Sequence, residues 1–316
     1  MGEQIPCLDL SDLDQPARRE RFTRALGVGL ERFGFVSLEG HGIPVAALDR
    51  AYATARQLFC LDDTVKRRYE TPEDGRQRGY TSFGVEHAKD TLVPDLKEFW
   101  HVGRSLPVDH PLHRSGDVPR NRWPEELPGF REVFSDYFVR VEAFADRLLA
   151  ALGAYLDLPT GTFARLTRDG NSVLRIIHYP DVGAGPPGAV RAAAHEDINL
   201  LTVLPVSTQP GLEVMTREGR WIAVNPPPNV LVCDTGDMMA LLTGGRIPAT
   251  THRVVNPEAQ DGGRLSMPFF MHPHPDAILS PMHPGLGSPM RAKDFFHARL
   301  QAIGVEPPPA GGGEER

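Results

Sequence analysis

Cysteine is scarce in this chain, with three in 316 residues. Cys7, Cys60 and Cys233 are odd in number, far apart and not arranged as CxxC, which argues against a disulfide framework and a thiolate metal cage. Free thiols suit a reducing compartment, so the expected location is cytoplasmic. Runs of Lys and Arg are also missing, and 41 acidic against 34 basic side chains leave a net charge of −7. Nucleic acid is therefore not an expected partner, because binding it needs a basic stripe. No apolar stretch has the length of a membrane span. The opening MGEQIPCLDLSDLD lacks the cationic flank and apolar run of a secretory signal. Neither a membrane nor export is expected.

What is present is ordinary for a globular protein, with 41% hydrophobic and 24% charged residues and ample length for a core. Ile5 to Leu10 alternates like a short strand. Phe22, Leu26, Leu30 and Phe33 then recur at helical spacing, Phe35 to Leu38 reads as a strand, and Val45 to Phe59 as a second amphipathic helix. His41 sits between glycines in a turn and reads as bonding to backbone. Residues 71–104 are irregular and mix Tyr80, Phe83, His87, Lys97, Phe99 and His101, the character of a small-molecule entrance. Phe83, Phe99 and His101 are the substrate-contact candidates. Residues 107–128 read as a surface connection. From Phe130 to Leu152 an apolar stripe marks a long helix that should back a sheet.

After Asn171 the texture changes to strands and turns. Eight segments, at 172–180, 191–206, 211–216, 220–226, 229–237, 238–245, 250–255 and 264–272, are separated by turn signals. That number suits a jelly roll. Phe295 to Ile303 suggests a last helix, and the Pro- and Gly-rich end a disordered tail.

The chemistry concentrates in RAAAHEDINLLTVL, residues 191–204. In an extended strand, residues i and i+2 share a face, so His195 and Asp197 would point together while Glu196 points away. His252, in a second strand-like run, is the best third ligand. Two imidazoles and one carboxylate leave octahedral positions open, which suits ferrous iron handling dioxygen. The same period puts Arg264 and Ser266 on one face, where a guanidinium and a hydroxyl can hold a carboxylate. His272, His274 and His283 lie in Pro-rich segments and read as surface or packing residues.

This ordered set, together with GFVSLEGHGIP at 34–44 and LRIIHYP at 174–180, resembles the isopenicillin N synthase-like family of Fe(II)/2-oxoglutarate-dependent oxygenases. The likeness spans roughly residues 5 to 300. It implies a mainly β fold with flanking helices, a double-stranded β-helix (jelly roll) core backed by the long helix. Residues 1–105 would form an amino-terminal α/β region packed on the core, 106–303 the long helix and the jelly roll, and 304–316 the tail. It further implies that Fe(II), 2-oxoglutarate and dioxygen are used, that His195, Asp197 and His252 hold the metal, and that Arg264 and Ser266 take the distal carboxylate of 2-oxoglutarate. Tyr179, rather than His178, would face the co-substrate. The expected reaction oxidises an unactivated C–H of a small metabolite, by hydroxylation, desaturation or cyclisation, with release of succinate and CO2. Isopenicillin N synthase carries the same motifs without using 2-oxoglutarate, so an iron oxidase whose Arg264 and Ser266 bind the substrate's own carboxylate is the alternative. A non-catalytic metal-binding barrel and a zinc hydrolase are the readings from other classes, and the latter lacks a general base at Glu196. Ile177 and His178 replace the Asn and Tyr of plant members, which turns the substrate analogy toward bacterial-style relatives.

Overall fold

The computed structural model describes residues 4–86, 95–181, 190–256, 263–282 and 288–302. His87, His283 and the tail at 304–316 lie outside the described residues. The strands that build the site are β1 (Cys7–Asp9), β2 (Phe35–Glu39), β3 (Gly79–Thr81), β4 (Glu98–Gly103), β5 (Val173–Tyr179), β6 (Ala192–His195), β7 (Leu201–Pro205), β8 (Leu212–Met215), β9 (Trp221–Ala223), β10 (Leu231–Asp234), β11 (His252–Val254), β12 (Arg264–Ser266) and β13 (Phe269–Met271).

Among the described residues these strands make two sheets. The larger runs β1-β2-β10-β7-β13-β5-β4-β3, with β12 also paired to β5, and the smaller runs β6-β11-β8-β9. Alternation decides what each face of the larger sheet does. On β4, Trp100 turns outward to the long helix Phe130–Tyr155, its ring 5.6 Å from Phe130, while Phe99 turns inward to cluster with Ile177, Tyr179, Ala192 and Val254. Phe138 of that helix likewise meets Phe269 of β13 edge-on at 5.1 Å. The long helix thus backs the sheet, and the helices Pro16–Phe33 and Val45–Phe59 pack against it in turn. The core is a jelly roll whose inner faces enclose a cavity. Among the described residues no helix is long and apolar enough to cross a membrane.

Three expectations are corrected. Residues 191–206 are not one strand: β6 ends at His195, and the chain crosses to the other sheet before β7 begins at Leu201. Residues 238–245 are not a strand. They lie in and just after the helix Asp237–Thr243, which buries Met238, Met239, Leu242 and Thr243 on one face and ends at Gly244, whose φ of 60° is left-handed. The stretch 71–104 is not wholly irregular, since it contains β3 and β4, short strands that add to the edge of the larger sheet.

Candidate active site

His195 and His252 face each other directly across the antiparallel pair β6–β11. Directly opposed residues bring their side chains together, and the two imidazole centroids stand 4.4 Å apart. Asp197 lies two residues past the strand end, and its position comes from the crossing chain. The Asp237 N–H donates to the Asp197 carbonyl at 2.8 Å, and the Met238 N–H to the Ile198 carbonyl at 3.1 Å. Gly236 makes this approach possible, because a Cβ there would stand 2.5 Å from the carbonyl oxygens of both Asp197 and Asn199. Asp197 Oδ1 ends 3.9 Å from His195 Nε2 and 3.8 Å from His252 Nε2. Two donors each about 2.1 Å from one ion can stand no more than about 4.2 Å apart, so both separations suit a shared first-row metal.

The surroundings set the correct protonation. His195 Nδ1 donates to the Ala193 carbonyl at 2.7 Å and His252 Nδ1 to the Thr250 carbonyl at 3.1 Å, which leaves both Nε2 lone pairs for the metal. Burial, and then the neighbouring His252, push the His195 imidazole down to about 4, so it is neutral at physiological pH. Burial opposes the charge on Asp197, but His252, His195 and the Thr202 hydroxyl hold its carboxyl below the usual range. The Thr202 hydroxyl donates to Asp197 Oδ2 and itself accepts from Asn199 Nδ2 at 2.9 Å. Asp234, opposite Thr202 in the β10–β7 register, is pushed well up by burial and then by Asp197.

Across the cavity, β12 pairs with β5 so that Arg264 lies opposite Tyr179 and Ser266 opposite Ile177. The Arg264 guanidinium stacks 5.1 Å from the Tyr179 ring centre. Nε donates to the Gln209 carbonyl at 3.0 Å and Nη2 to Ser207 Oγ at 2.7 Å, and Ser207 Oγ also meets Ser266 Oγ at 3.1 Å. Nη1 is buried with no hydrogen-bond partner among the described residues. An unpaired buried donor on a cation is costly unless an anion completes it, and a ligand carboxylate does so.

One cavity of about 250 Å³ is lined by His195, Asp197 and His252, by Arg264, Ser266 and Tyr179, and by Phe99 and His101. The structure therefore brings together every site residue singled out in the sequence except Phe83. That side chain is 38% exposed and meets His178 on the other face of the sheet, because the chain leaves β3 at Thr81 and turns outward. His178 Nδ1 bonds Glu98 Oε1 at 2.8 Å, away from the cavity. Glu196 accepts from the Thr251 hydroxyl. His41 accepts from the Ile43 N–H at 3.1 Å and donates to the Asn229 carbonyl at 3.0 Å, a turn histidine bonded to backbone. Of the two readings of His272, surface or packing, the structure has the second: it is buried against Phe296 and also lines the cavity, and burial pushes it down to about 4. His274 does sit in a turn, where it accepts from the Asp276 N–H. Sequence reasoning missed Glu86, Asp95, Arg175 and Phe270, which also line the cavity. Only the odd-position alternation of β5, placing Arg175 in line with Ile177 and Tyr179, could have pointed to one of them.

A jelly roll with two histidines and a carboxylate converging inside it, beside a buried arginine awaiting an anion, defines the class of non-haem iron oxygenases. Comparison with known proteins is specific. Residues 5–126 match the family described as non-haem dioxygenase in morphine synthesis N-terminal, and 170–273 match the 2OG-Fe(II) oxygenase superfamily. The chain is 31% identical over 290 residues to the 2-oxoglutarate-dependent dioxygenase frbJ of Dothideomycetidae sp., covering 89% of this chain and 77% of that one. A 2OG-Fe(II) oxygenase family protein from Caulobacter crescentus superposes with a TM-score of 0.84 at 35% identity, over 96% of this chain and 100% of that one. A full-length Neurospora crassa protein, solved in complex with alpha-KG and thymine, gives 0.81 at 25% identity over 96% and 98%. The chain belongs to the 2OG-Fe(II) oxygenase superfamily, in its isopenicillin N synthase-like branch, and is an Fe(II)- and 2-oxoglutarate-dependent dioxygenase.

Proposed function

We propose that His195, Asp197 and His252 hold the iron, and that Arg264 and Ser266, with Tyr179 beneath the guanidinium, hold the far carboxylate of 2-oxoglutarate. The substrate is a small metabolite, one of whose unactivated C–H bonds is oxidised. When bound, iron and 2-oxoglutarate supply the oxidising power, with 2-oxoglutarate converted to succinate and carbon dioxide as dioxygen is consumed. The chain's own part is to present two neutral Nε2 lone pairs and one carboxylate at a single point. It also offers a fixed cation to the co-substrate and lines the remaining space with Phe99, Ile177 and Phe270, which exclude water. The observation that carries this reading is the Nη1 of buried Arg264, unpartnered among the described residues and in the same cavity as the triad. A cavity of this size suits compact substrates, and the Neurospora relative is in complex with thymine, itself a small molecule.

Residues 1–105 form an amino-terminal α/β region packed on the core, whose β4 supplies one cavity wall, and 106–303 the long helix and the metal-binding jelly roll. The protein works in the cytoplasm, a reading supported by its three free cysteines. The test is anaerobic Fe(II) titration of the wild type, His195→Ala and His252→Ala, with circular dichroism to confirm the fold, followed by 2-oxoglutarate-dependent succinate release. Both variants should lose iron and turnover. Full iron occupancy in either one, or a wild type that does not bind 2-oxoglutarate, overturns the assignment.

A further inference from the structure

The cavity has a second charged pole that the co-substrate site does not use. Arg175 lies on β5 four residues before Tyr179 and on the same face, which places it about 13 Å along the strand from the Arg264 end. Between the two poles the wall is apolar, formed by Phe99 and Ile177. The Arg175 guanidinium stacks 4.2 Å from the Phe99 ring centre and 5.5 Å from that of Phe270. Its Nη1 and Nη2 grip Glu86 Oε2 and Oε1, each at 3.0 Å, and its Nε donates to His101 Nε2 at 2.7 Å. His101 is neutral and fixed in that tautomer, because its Nδ1 donates to the Arg76 carbonyl at 3.0 Å. Lys97 Nζ lies 2.9 Å from Glu86 Oε2 and 2.8 Å from Asp95 Oδ2.

Donor and acceptor accounting says what this pole can read. Within the cluster, Arg175 and Lys97 are matched by Glu86 and Asp95, so an arriving carboxylate finds no unpaired cation. To bind there it would have to displace Glu86 from three charged contacts of 2.9–3.0 Å. A neutral group meets a better fit. A guanidinium has five N–H groups and three are committed, so Nη2 keeps one N–H free among the described residues. Beside it, among the described residues, Glu86 Oε1 accepts only from Nη2 and retains acceptor capacity. A spare donor next to a spare acceptor is the complement of an amide edge, C=O beside N–H. The aromatic faces of Phe99 and Phe270 suit a flat ring behind that edge. The pole lines the same cavity as His195, Asp197 and His252.

We propose that the Arg175–Glu86 edge is the substrate-recognition pole, and that the substrate class is a small, neutral, cyclic amide or imide. The inference rests on the reading of this cavity as the active site. The test uses the Fe(II)-loaded full chain, first titrated anaerobically with 2-oxoglutarate. The probes are 2-piperidone, succinimide and uracil, set against cyclopentanecarboxylate and cyclohexanecarboxylate. Binding is read as a shift in melting temperature, and turnover as probe-stimulated succinate. At least one neutral probe should bind and stimulate succinate, and Arg175→Met should weaken that probe by about tenfold or more. Its 2-oxoglutarate affinity should change by less than about twofold, because the Arg264 end is remote. Arg175→Lys, which keeps the charge and loses the edge, should behave like Arg175→Met and covers the case in which the methionine variant does not fold. Glu86→Gln should weaken the neutral probe and, by leaving one cation of the cluster unpaired, admit a carboxylate that the wild type refuses. A wild type that does not bind 2-oxoglutarate breaks the reading of the site, and the inference with it. Normal 2-oxoglutarate binding overturns the inference alone if it comes with no neutral-probe binding, with unchanged affinity in both Arg175 variants, or with a carboxylate that binds the wild type better than every neutral probe.

Discussion

The sharpest consequence of the Arg264 geometry is that its guanidinium is held by neutral partners so that its charge is left for a ligand. Gln209 takes Nε at 3.0 Å, Ser207 takes Nη2 at 2.7 Å, and Nη1 is buried and without a partner among the described residues. Arg264→Lys keeps the charge, but an ammonium has no rigid fork and cannot satisfy both anchors while presenting two parallel donors to a carboxylate. Losing one charged hydrogen bond costs about 1.5 to 3 kcal/mol, which raises the 2-oxoglutarate dissociation constant roughly 10- to 150-fold. Ser266→Ala removes only a neutral hydroxyl, worth about 0.5 to 1.5 kcal/mol, or roughly 2- to 12-fold. The assay is anaerobic titration of the Fe(II) protein with 2-oxoglutarate, read by the visible charge-transfer absorption, together with succinate formation against 2-oxoglutarate concentration. Iron content should be unchanged in both variants. If Arg264→Lys binds 2-oxoglutarate as tightly as the wild type, the guanidinium does not hold the co-substrate.

Three further outcomes follow from the same contacts. Gly236→Ala forces a Cβ to within 2.5 Å of the Asp197 and Asn199 carbonyls, and should cost about 1 to 3 kcal/mol and lower iron affinity, seen together in melting and metal titration; unchanged iron binding would show that the crossing chain tolerates the shift. Asp95 Oδ1 accepts the Ala193 N–H at 3.0 Å, and the Ala193 carbonyl orients His195, so Asp95→Ala should weaken iron binding about tenfold while Asp95→Asn, which keeps the acceptor, largely restores it; equal loss in both would break the positioning argument. Burial holds His195 and His272 down to about 4 in the fold, against an unfolded value near about 6.5, so between those values the unfolded chain binds more protons. The melting temperature of the metal-free protein should therefore fall as pH drops through that window, and a flat profile would contradict it.

The metal triad was legible because ligand chemistry is written in residue types, and His195, Asp197 and His252 are few and specific. The geometry that unites them was only half legible. Alternation along one strand suggested why His195 and Asp197 should meet, yet Asp197 stands beyond β6, held by backbone bonds to Asp237 and Met238 that no local pattern announces. Long helices were legible for a related reason, since the stripe from Phe130 to Leu152 repeats within the segment that it shapes. The helix Asp237–Thr243 was not, because seven residues with two adjacent methionines give a helix and a buried strand the same apolar run.

The second pole of the cavity was invisible for a stricter reason. Arg175 and Glu86 are 89 residues apart, and neither is an unusual residue in its own segment. Their meaning appears only when β4 pairs with β5, setting His101 opposite Arg175, and when the chain after β3 brings Glu86 to the same wall. Metal ligands must be of a few kinds, so a motif can disclose them. A substrate edge needs only one donor beside one acceptor, and many residues can supply either. In this fold the constant chemistry is therefore readable along the chain, whereas selectivity resides in pairings made across the sheet.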